Sequence, residues 1–345
     1  MRSLPWSWYT DPEVERLERE HVFRRAWQYV GRAEAVADPG SYLATDAGGV
    51  PVVITRDEEG ALRAFVNVCR HRGSVLVADG AGRRETLQCR YHAWTYRLDG
   101  TLRSAPRAEE LETAGLTLVP ATAALWGPLL FVNPAADAPP LADTLGDVPQ
   151  RLADAGVDLA RLRFHGRVEY ELAANWKVAC ENYLECYHCP TAHPGFSALV
   201  DVRREAYRLE ADGCVASQLG PLRAPAKTGR VAAGHFHFVW PNLKLNVYPG
   251  HPNLSVGPVL PAGPERCRGF LDYFFDPDAD DAWVAELLEL DDRVGHEDRE
   301  LVEGVQRGVR AGAVPDGPLL PESERLIVWF QERVADALGS RFTSS

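Results

Sequence analysis

The spacing of apolar positions changes period several times along the chain. Thr10-Asp11-Pro12-Glu13 opens a helix, with a capping side chain, a proline suited to the first helical position and an acidic first turn, and the helical pattern runs to about Trp27. Between Tyr29 and Val68 short β-like runs take over, at 41–44, 50–55 and 62–68, separated by Asp38-Pro39-Gly40 and Glu58-Glu59-Gly60 turns. Residues 94–98 and 101–103 flank Asp99-Gly100, a strong hairpin signal, and strand-like runs continue to Asn133. A proline-rich stretch from Pro134 to Pro140 places a boundary near 134–150. Beyond it, a helical stretch around 175–189 precedes strand-like runs at 207–209, 235–240, 243–247 and 269–274. A long helical pattern over 281–312 then places Leu287, Val294, Leu301, Val305 and Val309 on one stripe. The expected fold class is α+β: a small antiparallel β domain, then a larger antiparallel sheet with helices packed across it.

Composition narrows the class without deciding it. At 345 residues with 25% charged, the chain is long enough for one large or two ordinary globular domains. A net charge of -12 argues against a nucleic-acid partner. The first ten residues lack the apolar core of a signal peptide, and the longest apolar stretch, about 119–132, is too short to span a bilayer, so a cytoplasmic protein without a membrane segment is expected. Seven cysteines is an odd number, and six of them suit metal ligation or a reduced interior better than a disulfide framework.

Candidate chemistry gathers in two places. Cys69-Arg-His71 and Cys89-Arg-Tyr-His92 are two Cys/His pairs at strand ends, able to converge as a ligand set. The spacing fits either a structural Cys2His2 zinc site or a Rieske [2Fe–2S] cluster with two Cys on one iron and two His on the other. In the second stretch, Asn175 to Pro194, helical spacing puts Glu181, Glu185 and His188 on one face, Pro190 ends the helix, and His193 swings back towards His188. Asp298 falls on the apolar stripe of the long helix, where a carboxylate is costly unless paired or metal-bound. It is the candidate third ligand of a 2-His-1-carboxylate site, with Glu297, Asp291 and Asp292 as rivals. Cys186 and Cys189 bracket His188 and are read as packing residues, while Phe236, Phe238 and Trp240 either line a cation-binding pocket or fill the core.

Three motifs, in order, resemble the oxygenase (α) subunit of the Rieske non-heme iron oxygenases over nearly the whole chain: C-x-H-R-G with C-x-Y-H-x-W at 69–94, N-W-K with E-N and E-x-Y-H-x4-H-P at 175–194, and E-D-x4-E-x2-Q-x-G at 297–308. The resemblance implies a Rieske domain over 29–134, a linker region over 135–165 and a catalytic domain of helix-grip type over 166–345, on which an N-terminal helix within 1–28 packs. It implies that Cys69, His71, Cys89 and His92 hold the cluster and that His188, His193 and Asp298 hold a mononuclear Fe(II). Glu185 would bridge His188 to His92 of the partner subunit in a head-to-tail homotrimer, with Asn182 shaping the iron pocket. There is no complete G-x-G-x-x-G fingerprint, so electrons from NAD(P)H would come through a separate flavin or iron–sulfur reductase.

The expected activity is O2-dependent hydroxylation of a small organic substrate. Two departures, Ala93 where the family usually has Gly and Glu185 where ring-dihydroxylating members have Asp, are set against that pattern. Glu185 and the wording Glu181-Asn-Tyr-Leu-Glu-Cys-Tyr-His-Cys-Pro190 resemble the quaternary-ammonium branch, that of choline, carnitine and betaine oxygenases. Hydroxylation or oxidative N-demethylation of such a compound is the leading expectation and aromatic-ring dihydroxylation the alternative. Outside the oxygenases stand a zinc-stabilised scaffold and a one-electron Rieske carrier.

Overall fold

A computed structural model describes residues 1–112, 114–223 and 230–339, so the end of the expected 166–345 domain lies outside the described residues. It contains two compact units, Met1–Glu18 with the chain from Ala142 onward, and Arg19–Leu141. No helix among the described residues is long and apolar enough to cross a membrane.

The Arg19–Leu141 unit is built on a seven-stranded antiparallel sheet in the order Gln28–Arg32, Leu129–Asn133, Pro120–Trp126, Leu62–Val66, Val50–Arg56, Ser41–Ala47, Gly80–Arg83. Alternation along Val50–Arg56 serves two cores: Val53 packs with Tyr42, Phe65, Leu87 and Trp94, while Val52 and Ile54 pack with Val36, Leu130 and Val132. The Asp99-Gly100 turn forms where expected, with Gly100 at φ +86° between Thr95–Tyr96 and Leu102–Ser104. The first helix is shorter than its pattern suggested. It ends at His21, a 3-10 turn covers Phe23–Arg25, and Trp27 and Gln28 already face the sheet core.

The other unit carries a seven-stranded antiparallel sheet ordered Arg163–Leu172, Cys267–Phe275, Asn253–Pro261, Leu243–Val247, Ala233–Val239, Val215–Pro221, Arg208–Asp212. Helices Trp176–Tyr183, Asp281–Arg310 and Arg325–Leu338 complete it. Two of these helix starts carry a side-chain cap: the Asn175 side chain accepts from Lys177 N, and that of Asp280 from Trp283 N.

The long helix corrects one part of the sequence pattern. Its buried face is Val284, Leu287, Asp291, Val302, Gln306 and Val309, whereas Leu301 and Val305 are 38% and 51% exposed. Gln306 is in the core because it accepts from Asn175 N and donates to the Tyr9 carbonyl. A polar residue taken inward by long-range hydrogen bonds therefore turned the apparent stripe by one position. Asp298, four residues before Val302, remains on the inward side.

A buried ion pair ties the N-terminal segment to the Trp176–Tyr183 helix. Lys177 Nζ lies 2.5 Å from Glu18 Oε1 and 3.0 Å from the Trp8 carbonyl, and Trp176 Nε1 donates to Glu18 Oε2 at 2.7 Å. Both charges are fully buried. Removing one partner strands the other, so Glu18→Ala is expected to destabilise the fold by about 3–5 kcal/mol. Chemical denaturation measures this, and a Glu18→Leu/Lys177→Met double variant should recover much of the loss.

Candidate active site

The two Cys/His loops share one backbone design. Gly73 N bonds the Cys69 carbonyl and Cys69 N the Ser74 carbonyl; likewise Ala93 N bonds the Cys89 carbonyl and Cys89 N the Trp94 carbonyl, all at 2.8–3.0 Å. Gly73 and Ala93 both sit in the left-handed region, at φ 72° and 59°. Ala93 therefore carries a side chain at a position suited to glycine, a strain of about 1–2 kcal/mol. Cys69 and Cys89 are buried in the core, whereas His71 and His92 are exposed, with ring centroids 4.6 Å apart. His71 stacks on Trp94 at 4.9 Å, and Tyr96 Oη lies 3.5 Å from Cys69 Sγ.

Among the described residues, His188, His193 and Asp298 bring one ligand atom each within 4.8 Å of one another, a convergence the Cys/His tetrad does not share. A single zinc draws four donors to one point. Two buried thiols beneath two paired, outward imidazoles instead suit a two-iron cluster with unlike ends.

The second site does not stand on one continuous helix. The Trp176–Tyr183 helix stops at the Leu184 cap, Glu185–His188 form a turn, and Pro190 lies in the first turn of the short helix Cys189–Ala192 rather than at the end of a helix. Glu181 and Glu185 therefore part company. Glu181 accepts from Tyr9 Oη at 2.6 Å and Gln331 Nε2 at 3.0 Å, while Glu185 Oε1 meets His188 Nδ1 and its Oε2 accepts from the Tyr187 and His188 amides.

His193 Nε2 is 3.0 Å from both His188 Nε2 and Asp298 Oδ1, and His188 Nε2 is 3.7 Å from Asp298 Oδ1. The far nitrogen of each ring is held by a carboxylate, His188 by Glu185 and His193 by Glu297 at 2.7 Å, which turns both Nε2 atoms to the common point. Burial opposes a charge on His193, but Asp298 and Glu297 outweigh it and raise its pKa, the mark of a site that attracts a cation. Asn182 Nδ2 donates to Asp298 Oδ1 at 2.6 Å. Of the rival carboxylates, Glu297 orients His193, Asp291 accepts from Tyr248 and Tyr273 at 2.5 Å each, and Asp292 is exposed beside His296. Two imidazoles and one carboxylate on one side of a point are the donor set of a non-heme Fe(II) site with open positions.

A cavity of ≈ 670 Å³, including its open mouth, adjoins these three residues. Its floor is the sheet face carrying Gln218, Phe236, Lys244, Asn246 and Leu271, and its sides include Phe196, Tyr207, Tyr248 and Asp291. Phe236 lines the cavity, whereas Phe238 and Trp240 pack against Phe330 in the core. Cys186 and Cys189, read from sequence as packing residues, are joined as a disulfide across His188, a pairing their three-residue separation within a tight turn permits. The pattern also missed Lys244, Asn246 and Gln218. Alternation with Leu243, Leu245 and Val247 made 244 and 246 look solvent-facing, and helices cover that face.

Residues 26–115 match the Rieske [2Fe-2S] domain and residues 159–340 the ring hydroxylating alpha subunit (catalytic domain). This chain belongs to the Rieske ring-hydroxylating oxygenase family. The oxygenase is 36% identical to the chloroplastic choline monooxygenase of Arabidopsis thaliana over 91% of its own length and 78% of the relative's. It is 31% identical to the carnitine monooxygenase oxygenase subunit of Acinetobacter pittii, covering 96% and 94%. A crystal structure of a quaternary ammonium Rieske monooxygenase with L-carnitine superimposes with TM-score 0.83 at 32% identity, covering 98% and 96%. Naphthalene 1,2-dioxygenase from Rhodococcus, TM-score 0.81 at 20% identity over 98% and 95%, shares the fold. The cofactors of this oxygenase are thus a Rieske cluster and a mononuclear iron, and the expectations of a zinc scaffold and of a bare electron carrier fall away.

Behind the site, burial lifts the Glu181 carboxyl to about 7, against hydrogen bonds from Tyr9 and Gln331 and the charge of Lys177. An acid whose folded pKa lies above its ordinary value stabilises the fold at low pH and loses that contribution as pH rises from about 4.5 to about 7. Thermal denaturation should show a Tm decline over this window that is smaller in Glu181→Gln; an unchanged slope would exclude Glu181 as its source.

Proposed function

We propose that this oxygenase hydroxylates a quaternary ammonium compound at a carbon bound to nitrogen, an N-methyl or N-alkyl group whose hydroxylated product collapses to an amine and a carbonyl compound. The observation that carries the reading is the cavity beside the iron ligands. Phe196, Phe236 and Tyr248 meet edge to face at 5.4 Å, and the Tyr248 hydroxyl ends on the buried Asp291, offering a cation ring faces and a negative charge. The choline and carnitine relatives support it.

In this reading Cys69, His71, Cys89 and His92 hold the cluster, and His188, His193 and Asp298 the iron. When bound, the cluster supplies single electrons and the iron activates O2. The chain's residues do the positioning. Glu185 and Glu297 keep the Nδ1 protons of His188 and His193, so each ring presents Nε2 as a neutral donor. Asn182 holds Asp298 in place. The aromatic wall orients the substrate's carbon towards the open side of the triad and excludes water.

Glu185 would also receive His92 of the partner subunit, in a head-to-tail trimer served by a separate reductase. A solved quaternary ammonium Rieske monooxygenase described for inter-subunit electron transfer supports that part. With a reductase and NAD(P)H, carbonyl release from methylated ammonium compounds is expected, compared with ring hydroxylation of aromatic acids. Ring hydroxylation alone would overturn the reading.

A further inference from the structure

The cavity brings a buried carboxylate, Asp291, together with a half-buried ammonium, Lys244, and among the described residues neither stands in an ion pair. Asp291 has only two phenolic donors, Tyr248 and Tyr273. Lys244, opposite Phe238 and Gly257 in the sheet, lies over the rings of Tyr170 at 5.1 Å and Tyr183 at 5.7 Å and lines the cavity. Among the described residues it takes part in no ion pair; its close neighbours are these ring faces and the Tyr170 hydroxyl, while Asp298 and Asp291 act on it from farther across the cavity. Its seat is built into the fold, since any side chain on Gly269 would collide with the Tyr170 ring beneath it. An ammonium partly withdrawn from water, with no carboxylate in contact, gains from a ligand that supplies one.

We propose that Lys244 receives a carboxylate of the substrate, so that the substrate is a zwitterion, a quaternary ammonium carboxylate, with its cation against Phe236, Tyr248 and Asp291. A quaternary ammonium alcohol would complete the Asp291 end and leave Lys244 unanswered. A dianion such as a phosphate ester is disfavoured, because one ammonium stands there without an arginine fork and Asp298 and Asp291 share the cavity. The inference rests on reading the aromatic wall as an ammonium site and adds which ammonium compounds enter.

The test is equilibrium binding by calorimetry to the metal-loaded oxygenase without reductase, so that nothing turns over. Three ligands of matched length are compared: 4-(trimethylammonio)butanoate, its alcohol 4-(trimethylammonio)butan-1-ol, and the uncharged-head isostere 5,5-dimethylhexanoate. A charge-assisted contact of this kind should make the zwitterion bind about tenfold or more tighter than the alcohol. Lys244→Met should erase that preference while changing the alcohol's affinity less than about threefold, and Lys244→Arg should keep most of it. Equal weakening of zwitterion and alcohol in Lys244→Met, or an undiminished preference, overturns the assignment. If 5,5-dimethylhexanoate binds as tightly as the zwitterion and still depends on Lys244, the ammonium reading fails and the carboxylate role stands.

Discussion

Asp298→Ala is expected to empty the mononuclear site of iron and lower substrate oxidation by more than about 100-fold, while the visible spectrum of the Rieske cluster stays unchanged. Its carboxylate stands 3.0 Å from His193 Nε2 and, among the described residues, is the acidic group that joins both imidazoles within 4.8 Å. Without it two neutral nitrogens remain, and no negative charge balances a divalent ion. The neighbours cannot substitute: Glu297 is engaged on the far side of His193, and Asp291 is hydrogen-bonded to two tyrosines. Iron content per chain and turnover measured on the same preparation decide it. Unchanged turnover would remove Asp298 from the triad.

Glu185→Gln is expected to keep both metals and slow re-oxidation of the reduced cluster by about 10–100-fold, the usual scale for an outer partner of a metal ligand. One carboxylate oxygen takes the His188 ring and the other takes the Tyr187 and His188 amides, so every contact of Glu185 accepts a hydrogen bond. Glutamine has one accepting oxygen. If it stays on His188 Nδ1, the amide nitrogen faces two backbone N–H groups, the turn loosens, and the negative charge proposed to meet His92 of the partner subunit is gone. Stopped-flow mixing of the reduced protein with O2 and substrate reads the rate. Full activity in the variant would show that Glu185 is not the bridge.

These two residues also show how far the local pattern reached. Glu185 and His188 meet as their spacing suggested, yet through a turn, because the helix ends at Leu184 and only Glu181 faces Tyr9 and Gln331. Asp298 was marked by a stripe of whose later members Leu301 and Val305 proved exposed and Val309 buried. The inward direction at 298 survived because a helix turns 100° per residue, so 294, 298 and 302 share a face whichever neighbours are apolar.

What the sequence determined by itself is the inventory held within short stretches: the two Cys/His loops, the Asp99-Gly100 hairpin, the paired histidines, the antiparallel strands and the long capped helix. Turn, cap and ligand preferences act over a few residues, and such spacing carries them. Only the tertiary structure decided which carboxylate stands with His188 and His193, that Gln306 lies in the core, that Cys186 and Cys189 are joined, and that Lys244 lines the cavity. Each depends on which face another element covers, at separations of up to more than a hundred residues. Periodicity marks the faces of an element, while burial and pairing are settled by what packs against them.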